Sequence, residues 1–406
     1  MAISIVDALD KIYQEVGVLD TQVVPLEDSL GRVIAKDYKA SFNLPRFDNS
    51  AMDGYAIKLN DSAKRVNMID VIYAGDTPKT TLRESTTIKI MTGAPIPKGC
   101  EAIVPRENVI VDDNIIKLPS GVKENAHIRR EGEDIKAGKV FISKGERITP
   151  YSTALLSSQG ITHIEVYRKV RVAIFSTGDE LRPYYEKIEA HQLYNSNAPT
   201  FISRAKSLGC ETIYINASGD KIEDIQIAIT QALKSDIIIT SGGVSVGDKD
   251  FTKEAFTQMG MEIFFEKIDI KPGKPTTFGK INDSFVVNLP GNPLASMVNF
   301  EMFIKPIILK LQGDNSHYHG VIETRLDKEY NIKSGKFSVI LGKFDGINFY
   351  PLLKQAPGMV SPLQDSDAMM VVSPKISRLT SSKAIKIIPI KMLFNSNVNS
   401  NFIVEE

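Results

Sequence analysis

Between about residue 169 and residue 313, short apolar runs with the length of strands alternate with segments that have helical spacing. Such alternation predicts βαβ crossovers, because two parallel strands need a connection as long as a helix. We therefore expect a doubly wound, mainly parallel sheet with ligands at the carboxyl ends of its strands. The predicted elements, in chain order, are KVRVAIFST, NAPTFISRAKSLG, ETIYINA, KIEDIQIAITQALKS, DIIITS, DFTKEAFTQMG, MEIFFEKIDI, TTFGKI, SFVVNLP and a long helix from Asn292.

The segments on either side of this block have a different character. Residues 45–125 are rich in Gly, Pro, Asp and Thr and contain short β-like runs. From about residue 314 to 394, short predicted strands return in the pattern of a small barrel or sandwich. A chain of 406 residues is too long for one ordinary core, so we expect two to four domains.

Charge and composition exclude several classes of function. Basic and acidic residues number 49 each, so no net charge attracts nucleic acid or a membrane surface. No apolar stretch approaches the roughly 20 residues of a membrane span. Cys100 and Cys210 match no zinc or redox spacing, and the N-terminus has helical periodicity instead of the features of a signal peptide. We expect a cytoplasmic protein without a nucleic-acid or membrane partner.

A glycine-rich loop follows one of the predicted buried strands. The letters TSGGVSVGDKD, residues 240–250, connect that strand to a predicted helix. Free backbone N–H groups and the helix dipole converge in such a connection, which is typical of a phosphate site. The Lys-[ST] ending of a nucleoside-triphosphate P-loop is absent, because Val246-Gly247-Asp248 stands in its place. The loop predicts an anion site and leaves the anion open.

Two further motifs follow strands of the same block. In FSTGDEL, residues 175–181, the hydroxyls of Ser176 and Thr177 and the carboxylate of Glu180 suit contacts to a nucleotide or Mg²⁺. Any one of them could instead cap a helix. NLPGNPLAS, residues 288–296, predicts Asn292 as N-cap and Pro293 as first residue of a helix, a start compatible with an anion.

A fourth motif, IDIKPGKPTTFG at residues 268–279, contains two lysines among two prolines and a glycine. The prolines restrict the backbone, so the cations of Lys271 and Lys274 are pre-positioned for an anion. The four motifs fall at the carboxyl ends of strands in one sheet. Their convergence predicts a single binding site.

Three polar clusters lie outside this block. Asp53 belongs to FDNSAMDGYAI, Thr92 to IMTGAPIPKGCEAIVPRE and Asp134 to IRREGEDIKAGK. In isolation, an Asx-rich turn, a rigid loop and a solvated charged turn explain these clusters equally well or better. The letters HYH, residues 317–319, resemble part of a metal site, but a surface loop is favoured because no third ligand is in view.

All of these motifs except HYH, seven in number and taken in their order along the chain, closely resemble those of molybdopterin molybdenumtransferases, which are similar to the catalytic C-terminal part of gephyrin. The resemblance is dense from about residue 27 to 312. It implies a homodimer whose site lies between the molybdopterin-binding domain, the third, of one chain and the inserted domain, the second, of the other. The implied domains are an elongated N-terminal domain (1–44 and 126–166), an inserted small mixed α/β domain (45–125), a molybdopterin-binding α/β domain (167–313) and a C-terminal β-barrel-like domain (314–406).

The resemblance also implies a reaction, in which molybdate is inserted into adenylylated molybdopterin with release of AMP. Glu180, Asp220 and Asp250 are implied to bind Mg²⁺, with Asp53 and Asp134 closing over them. The implied molybdate contacts are Lys271 and Lys274, with Lys267 nearby and Thr92 as a hydroxyl donor. The implied substrate-binding residues are Ser176, Thr177, Ser241, Gly242, Gly243, Val244, Ser245, Lys274, Pro290, Asn292 and Pro293.

The last domain departs from the family pattern at two places. Where family members commonly carry Phe-x-Arg, this chain has Phe337-Ser338-Val339, and Ala356-Pro357 replaces the usual Gly-Ser. Both places are linked in the family to the oxyanion site, and Ser361 or Lys343 are candidate substitutes. Two other functions stay open at this point: a gephyrin-like scaffold, and the adenylyltransferase that makes the adenylylated substrate. A separate adenylyltransferase is also a candidate partner.

Overall fold

The computed structural model of the chain describes residues 2–178, 180–216, 221–243 and 251–391. The chain folds into two compact units. The first comprises Met1–Ala35, Gly145–Ile148 and Ile164–Glu406, and the second comprises Lys36–Lys144 and Thr149–His163. The predicted division into four domains is finer than this partition and stays a prediction.

The centre of the first unit is a six-stranded sheet. Its first four strands are parallel and its last two are antiparallel to their neighbours. The sequence prediction of a mainly parallel sheet is confirmed. In sheet order, the strands are Glu211–Tyr214, Arg171–Ser176, Ile237–Ser241, Ser284–Leu289, Thr277–Ile281 and Glu262–Phe265.

Helices cover both faces of this sheet. Successive side chains of a strand point to opposite faces, so Val172 and Ile174 join the cluster that contains Phe201, whereas Phe175 joins the cluster that contains Ile229. Apolar residues on both faces explain why the strands are read as continuous apolar runs. The helices are Asn197–Ser207, Ile222–Ala232, Phe251–Gln258, Pro293–Asn299 and Lys305–Leu311, with a π-helical turn at Phe300–Ile304.

The predicted strand MEIFFEKIDI is wrong in its second half. Only Glu262–Phe265 belongs to the central sheet. The backbone then pairs with the start of the chain, because Ile3 N donates to Lys267 O (2.8 Å) and Asp269 N donates to Ile3 O (2.8 Å). Ile270–Lys271 continues as a short strand in a different sheet. The tertiary contact with the N-terminal segment ends a strand that the apolar pattern would extend.

The C-terminal part of the first unit is a closed barrel of five strands, as the sequence predicted. The ring closes because Phe337–Phe344 pairs with both Asn348–Pro351 and Ala368–Val372. Ile340, Phe349 and Ile387 belong to its core. The barrel strands are Ile322–Leu326, Phe337–Phe344, Asn348–Pro351, Ala368–Val372 and Ala384–Pro389; Ile270–Lys271 adds at one edge, and Tyr330–Asn331, Arg378–Leu379 and the helix Ser361–Asp365 flank it.

The second unit contains a six-stranded mixed sheet between two apolar clusters. Tyr55 and Ile57 face one cluster and Ala56 faces the other. The sheet strands, in order, are Ala102–Pro105, Gly54–Ile57, Thr86–Ile90, Arg65–Ile72, Ile115–Lys117 and Ile110–Asp112. The smaller elements are the pairs Asn49–Ser50 with Ile128–Arg129 and Tyr38–Lys39 with Val140–Ile142, the helix Pro150–Ser158 and the 3₁₀ turns Leu59–Asp61 and Arg106–Asn108.

The first unit begins with the helix Ile5–Glu15, where the Ser4 hydroxyl accepts a hydrogen bond from Asp7 N (3.1 Å) and caps the first turn. Its remaining elements are the 3₁₀ turn Leu26–Asp28 and two strand pairs, Thr21–Pro25 with His163–Tyr167 and Leu181–Arg182 with Leu193–Tyr194. Among the helices that the structure describes, none combines the length and hydrophobicity that a membrane span requires.

Candidate functional site

A cavity of about 600 Å³ opens at the carboxyl ends of three neighbouring parallel strands of the first unit. These strands end at Ser176, Ser241 and Leu289. Parallel strands direct their carboxyl ends to the same edge of the sheet, and the residues that follow them therefore meet there. The predicted site residues that line the cavity are Thr177, Glu180, Ser241, Gly242, Gly243, Pro290, Asn292 and Pro293.

The two glycines of the loop allow it to approach the neighbouring strand end. Gly242 has φ +98°, and a Cβ atom there would lie 2.4 Å from Thr177 O. Gly243 has φ +63°, and its Cβ would lie 2.2 Å from Thr252 Oγ1. Both positions require glycine, for conformational and for steric reasons. The Gly242 N–H donates to Leu289 O (3.2 Å), so this donor is engaged within the sheet edge instead of being free for an anion.

Hydroxyl groups form the buried floor below the loop. The Ser176 and Ser241 oxygens lie 2.9 Å apart and join two strand ends. The Thr177 and Thr252 oxygens lie 3.2 Å apart and join a strand end to the following helix. Ser176 thus belongs to the site through Ser241. Buried and paired hydroxyls hold the strand ends at a constant separation.

Two helix starts form another wall. Asn292 is the N-cap and Pro293 the first residue of a helix, as the sequence predicted. The Asn197 amide at the start of a second helix donates to Gly291 O (2.8 Å). The barrel segment supplies an unexpected partner, because Pro357 O accepts hydrogen bonds from Leu294 N (3.0 Å) and Ala295 N (3.4 Å). A carbonyl oxygen therefore occupies the helix start where the sequence predicts an anion.

A buried residue that the sequence analysis missed anchors the loop that carries the two lysines predicted to bind molybdate. The Asn299 amide, fully buried, donates to Gly273 O (2.8 Å) and Thr276 Oγ1 (2.5 Å). Gly273 has φ +108°, and a Cβ there would lie 2.4 Å from this amide. The sequence did contain a signal for this role, because Asn299 is the one polar residue in the apolar run MVNF.

The lysines themselves extend from this anchored loop. Lys271 and Lys274 are exposed, and so is Lys267. Pro275, between the anchored backbone and the sheet, lines the cavity. The structure therefore holds the backbone of the loop at the site, and the lysine side chains retain the freedom to meet an anion from solvent.

One departure from the family pattern lies beside this loop in the fold, and the other lies at a helix start. Lys271 is in register with Ser338 of the barrel, next to Val339, which is buried in the core and provides no cation. The other departure, Ala356-Pro357, provides the carbonyl at the helix start described above. Ser361 and Lys343, the candidate substitutes, are both exposed, and their part in oxyanion binding stays a prediction.

In the second unit, Asp53 and Thr92 form a local pair. Asp53 Oδ1 accepts hydrogen bonds from Thr92 N (2.7 Å) and Thr92 Oγ1 (2.8 Å). These two bonds favour the ionised form and lower the pKa of Asp53. The Thr92 hydroxyl therefore orients a carboxylate in this structure. Asp134 lies exposed in the same unit.

Four predicted site residues, Asp220, Val244, Ser245 and Asp250, lie outside the described residues. Two of the three predicted metal ligands are among them, so the set remains a prediction. Within the described ranges, no group of three or more His, Cys, Asp or Glu side chains is arranged to hold a metal ion. In HYH, a ring nitrogen of His317 lies 2.7 Å from Asp314 O and one of His319 lies 2.8 Å from Met302 O.

Comparisons with known proteins agree with this architecture. The model of the MoeA N-terminal region (domain I and II) matches residues 3–160, and that of the probable molybdopterin binding domain matches residues 173–310. The molybdopterin molybdenumtransferase of Haemophilus influenzae is 37% identical over 317 residues, which are 76% of this chain and 78% of that protein. That of Bacillus subtilis is 37% identical over 301 residues, or 71% of this chain and 70% of its own.

A solved structure extends the likeness over nearly the full chain. The molybdopterin biosynthesis MoeA protein of Pyrococcus horikoshii superimposes with a TM-score of 0.84 at 25% identity, covering 96% of this chain and 100% of its own. The doubly wound sheet and the cavity at its strand ends define an α/β protein of the molybdopterin-binding type. With these relatives, the chain belongs to the molybdopterin molybdenumtransferase family, which acts in molybdenum cofactor biosynthesis.

The Gly242 loop yields a first prediction. Gly242→Ala places a methyl group 2.4 Å from Thr177 O at φ +98°, which forces the loop away from the strand end. We expect the affinity for AMP, measured by titration calorimetry, to fall at least roughly tenfold, since such strain costs about 1–3 kcal/mol. Gly320→Ala is the control, because a Cβ at Gly320 meets nothing within 4 Å. Unchanged AMP affinity in the Gly242 variant would contradict the assignment of this loop to phosphate binding.

Proposed function

We propose that this chain transfers molybdenum from molybdate to adenylylated molybdopterin and releases AMP. The observation that carries the proposal is the cavity of about 600 Å³, lined by residues from four of the family motifs. Its size suits a substrate with several parts, because small-molecule sites commonly measure about 300–1,000 Å³. Family membership supplies the reaction class, and the cysteine usage and balanced charge support a cytoplasmic location.

In this proposal the strand-end loops bind the phosphate groups of the substrate. Gly242 and Gly243 bring backbone close to the cavity, and the paired hydroxyls below keep the two strand ends in place. A substrate that already carries a diphosphate has no γ-phosphate to contact. This is the physical reason why the loop functions without a P-loop lysine.

Mg²⁺ is the proposed cofactor, held by Glu180, Asp220 and Asp250. Carboxylate oxygens are the ligands that this hard cation prefers, and Glu180 lines the cavity from its rim. The ion would neutralise charge on the phosphate oxygens as the P–O bond breaks. Glu180 is exposed and therefore able to reach a metal–phosphate complex without rearrangement of the core.

Molybdate is the proposed second substrate, bound by the lysines of the anchored loop. Molybdate is a dianion, and two ammonium groups on an anchored backbone provide charge-assisted hydrogen bonds to its oxygens. Lys271 and Lys274 flank the Gly273 backbone that Asn299 holds. Lys267 precedes the same loop and is the third proposed cation.

We further propose that the active protein is a homodimer with shared sites. Asp53, oriented by Thr92, would complete the site of the other chain, together with Asp134. The hydrogen bonds from Thr92 lower the pKa of Asp53 and so favour its ionised form. A bound adenylyltransferase would transfer the adenylylated substrate directly to this protein.

The direct test of the function measures AMP release from adenylylated molybdopterin. We expect release that requires both molybdate and Mg²⁺, with the loss of turnover in excess chelator reversed by added Mg²⁺. Turnover that persists in chelator would contradict the metal role. No AMP release under any condition would contradict the transferase assignment and favour a scaffold, whereas formation of the adenylylated substrate from ATP would favour an adenylyltransferase.

The lysines provide a separate prediction. Lys271→Ala and Lys274→Ala should each weaken molybdate binding by roughly tenfold or more, because a charge-assisted hydrogen bond contributes about 1.5–3 kcal/mol. AMP affinity should change little. Equilibrium dialysis with molybdate measures the first quantity and calorimetry the second, with the exposed barrel residue Lys383→Ala as control. Equal weakening of both ligands would assign the lysines to a phosphate group instead.

The shared site can be tested with mixed dimers. Asp53→Asn and Glu180→Gln chains should each be nearly inactive as homodimers. Unfolded together and refolded at equal ratio, they would form hybrids in about half of the dimers, and each hybrid would contain one intact site. Total activity should therefore return to about a quarter of the wild-type value.

A charge-tagged chain verifies that the subunits exchange. With exchange demonstrated, a site built within one chain would give no recovery, because every site in a hybrid would keep one lesion. Absence of recovery under those conditions therefore refutes the shared site.

A further inference from the structure

A second cavity of about 280 Å³ adjoins the first. The buried side chain of Asn195 lines both cavities, so they share a wall. Asn195 is firmly placed, because its N–H donates to Arg182 O (2.9 Å) and its Oδ1 accepts from Ala198 N (3.1 Å). The smaller cavity is therefore next to the proposed substrate site, and Asn195 is the lining residue that both have in common.

Three tyrosines line this smaller cavity. Tyr184 and Tyr185 are adjacent in sequence, and their rings meet edge to face with centroids 5.3 Å apart. Tyr214, on the edge strand of the central sheet, is the third tyrosine of the lining. Pro183, Pro199 and Ile202 add apolar surface. Aromatic and proline side chains of this kind offer flat faces to a planar ring.

Packing within the chain leaves the tyrosine pair mostly uncovered. Tyr184 is 67% exposed and Tyr185 is 70% exposed, although both have large apolar rings. Leu193 and Tyr194, on the strand that follows their loop, are also exposed and line the larger cavity. The apolar surface thus extends from one cavity to the other, which distinguishes it from singly scattered surface residues.

We propose that the smaller cavity binds a flat, nitrogen-containing ring at one end of the substrate, which stacks on one ring of the Tyr184–Tyr185 pair and contacts the other at its edge. The proposal rests on the proposed function, since adenylylated molybdopterin has such a ring at each end, adenine and pterin. A volume of about 280 Å³ lies below the range of whole-ligand sites and suits one ring system. The larger cavity then holds the phosphates that connect the two rings.

The polar groups of the smaller cavity fit the edge of such a ring. Asn195 and Ser203 lie among its apolar walls and provide hydrogen-bonding groups for ring nitrogens. Burial raises the pKa of Tyr214, the nearby Tyr185 adds to this effect, and a side-chain hydrogen bond with Asn195 opposes it. The tyrosine loop is accordingly a specificity element that no motif of the sequence analysis included.

The test compares ligands with and without a ring. Tyr184→Ala and Tyr185→Ala are each titrated with AMP, with pterin-6-carboxylate and with ribose 5-phosphate, which carries a phosphate and no ring. We expect about tenfold weaker binding of one ring-bearing ligand, the size expected for loss of ring stacking. Ribose 5-phosphate affinity should stay unchanged. Weaker AMP binding places adenine in the cavity, and weaker pterin binding places the pterin there.

Matched variants exclude trivial effects. Tyr184→Phe should keep wild-type affinity because the ring remains, and Tyr151→Ala removes a tyrosine that is 85% exposed in the other unit. The alanine variants should raise KM for the adenylylated substrate and leave kcat unchanged. Unchanged affinity for both AMP and the pterin would overturn the proposal, even if the wild-type protein releases AMP. A wild-type protein without molybdate-dependent AMP release would instead overturn the proposed function and leave the ring-binding result standing.

Discussion

The contact between the Gly242 backbone and the Thr177 carbonyl is the constraint on which the site depends. No atom fits between them, since a Cβ would lie 2.4 Å from that oxygen. The same loop residue donates to Leu289 O, so one glycine links three adjacent strand ends. Both residues of this contact, Gly242 and Thr177, line the cavity. Because the loop is held by backbone atoms, its position depends little on side-chain rotamers, which suits a site that must receive phosphate groups.

A second set of contacts joins the barrel to the α/β core of the same unit. Pro357 O occupies the start of the long helix, and Asn299, one to two turns further along, holds the lysine loop. The π-helical turn that follows carries Glu301, whose buried carboxylate pairs with Arg204 on the neighbouring helix. The helix and its π-helical turn thereby contact the barrel segment, the lysine loop and a neighbouring helix. The Pro357 carbonyl, at one of the two departures from the family pattern, makes the first of these contacts.

The proposed division of labour follows the chemistry of the surfaces. Backbone and hydroxyl groups lie at the strand ends, cations extend from an anchored loop, and exposed aromatic rings line the smaller cavity. Each surface matches one part of the proposed substrates: phosphate, molybdate and a planar ring. In the other unit, hydrogen bonds from Thr92 orient the Asp53 carboxylate and favour its ionised form. The groups that hold the site in place are therefore buried, and the side chains that are proposed to contact ligands are exposed.

The sequence by itself determined the alternation of strands and helices, a C-terminal β region of the barrel or sandwich type and the strand ends at which the motifs meet. Periodicity and turn residues are local properties, and the glycines and hydroxyls of the cavity lie within motifs a few residues long. Only the tertiary structure decided where the predicted strand MEIFFEKIDI leaves the sheet, because its second half forms backbone hydrogen bonds with Ile3. It alone revealed Asn299, Pro357 and the tyrosine cavity, whose partners are distant in sequence. Hydrogen bonds and stacking surfaces between distant residues have no periodic signal, and only the folded chain brings them together.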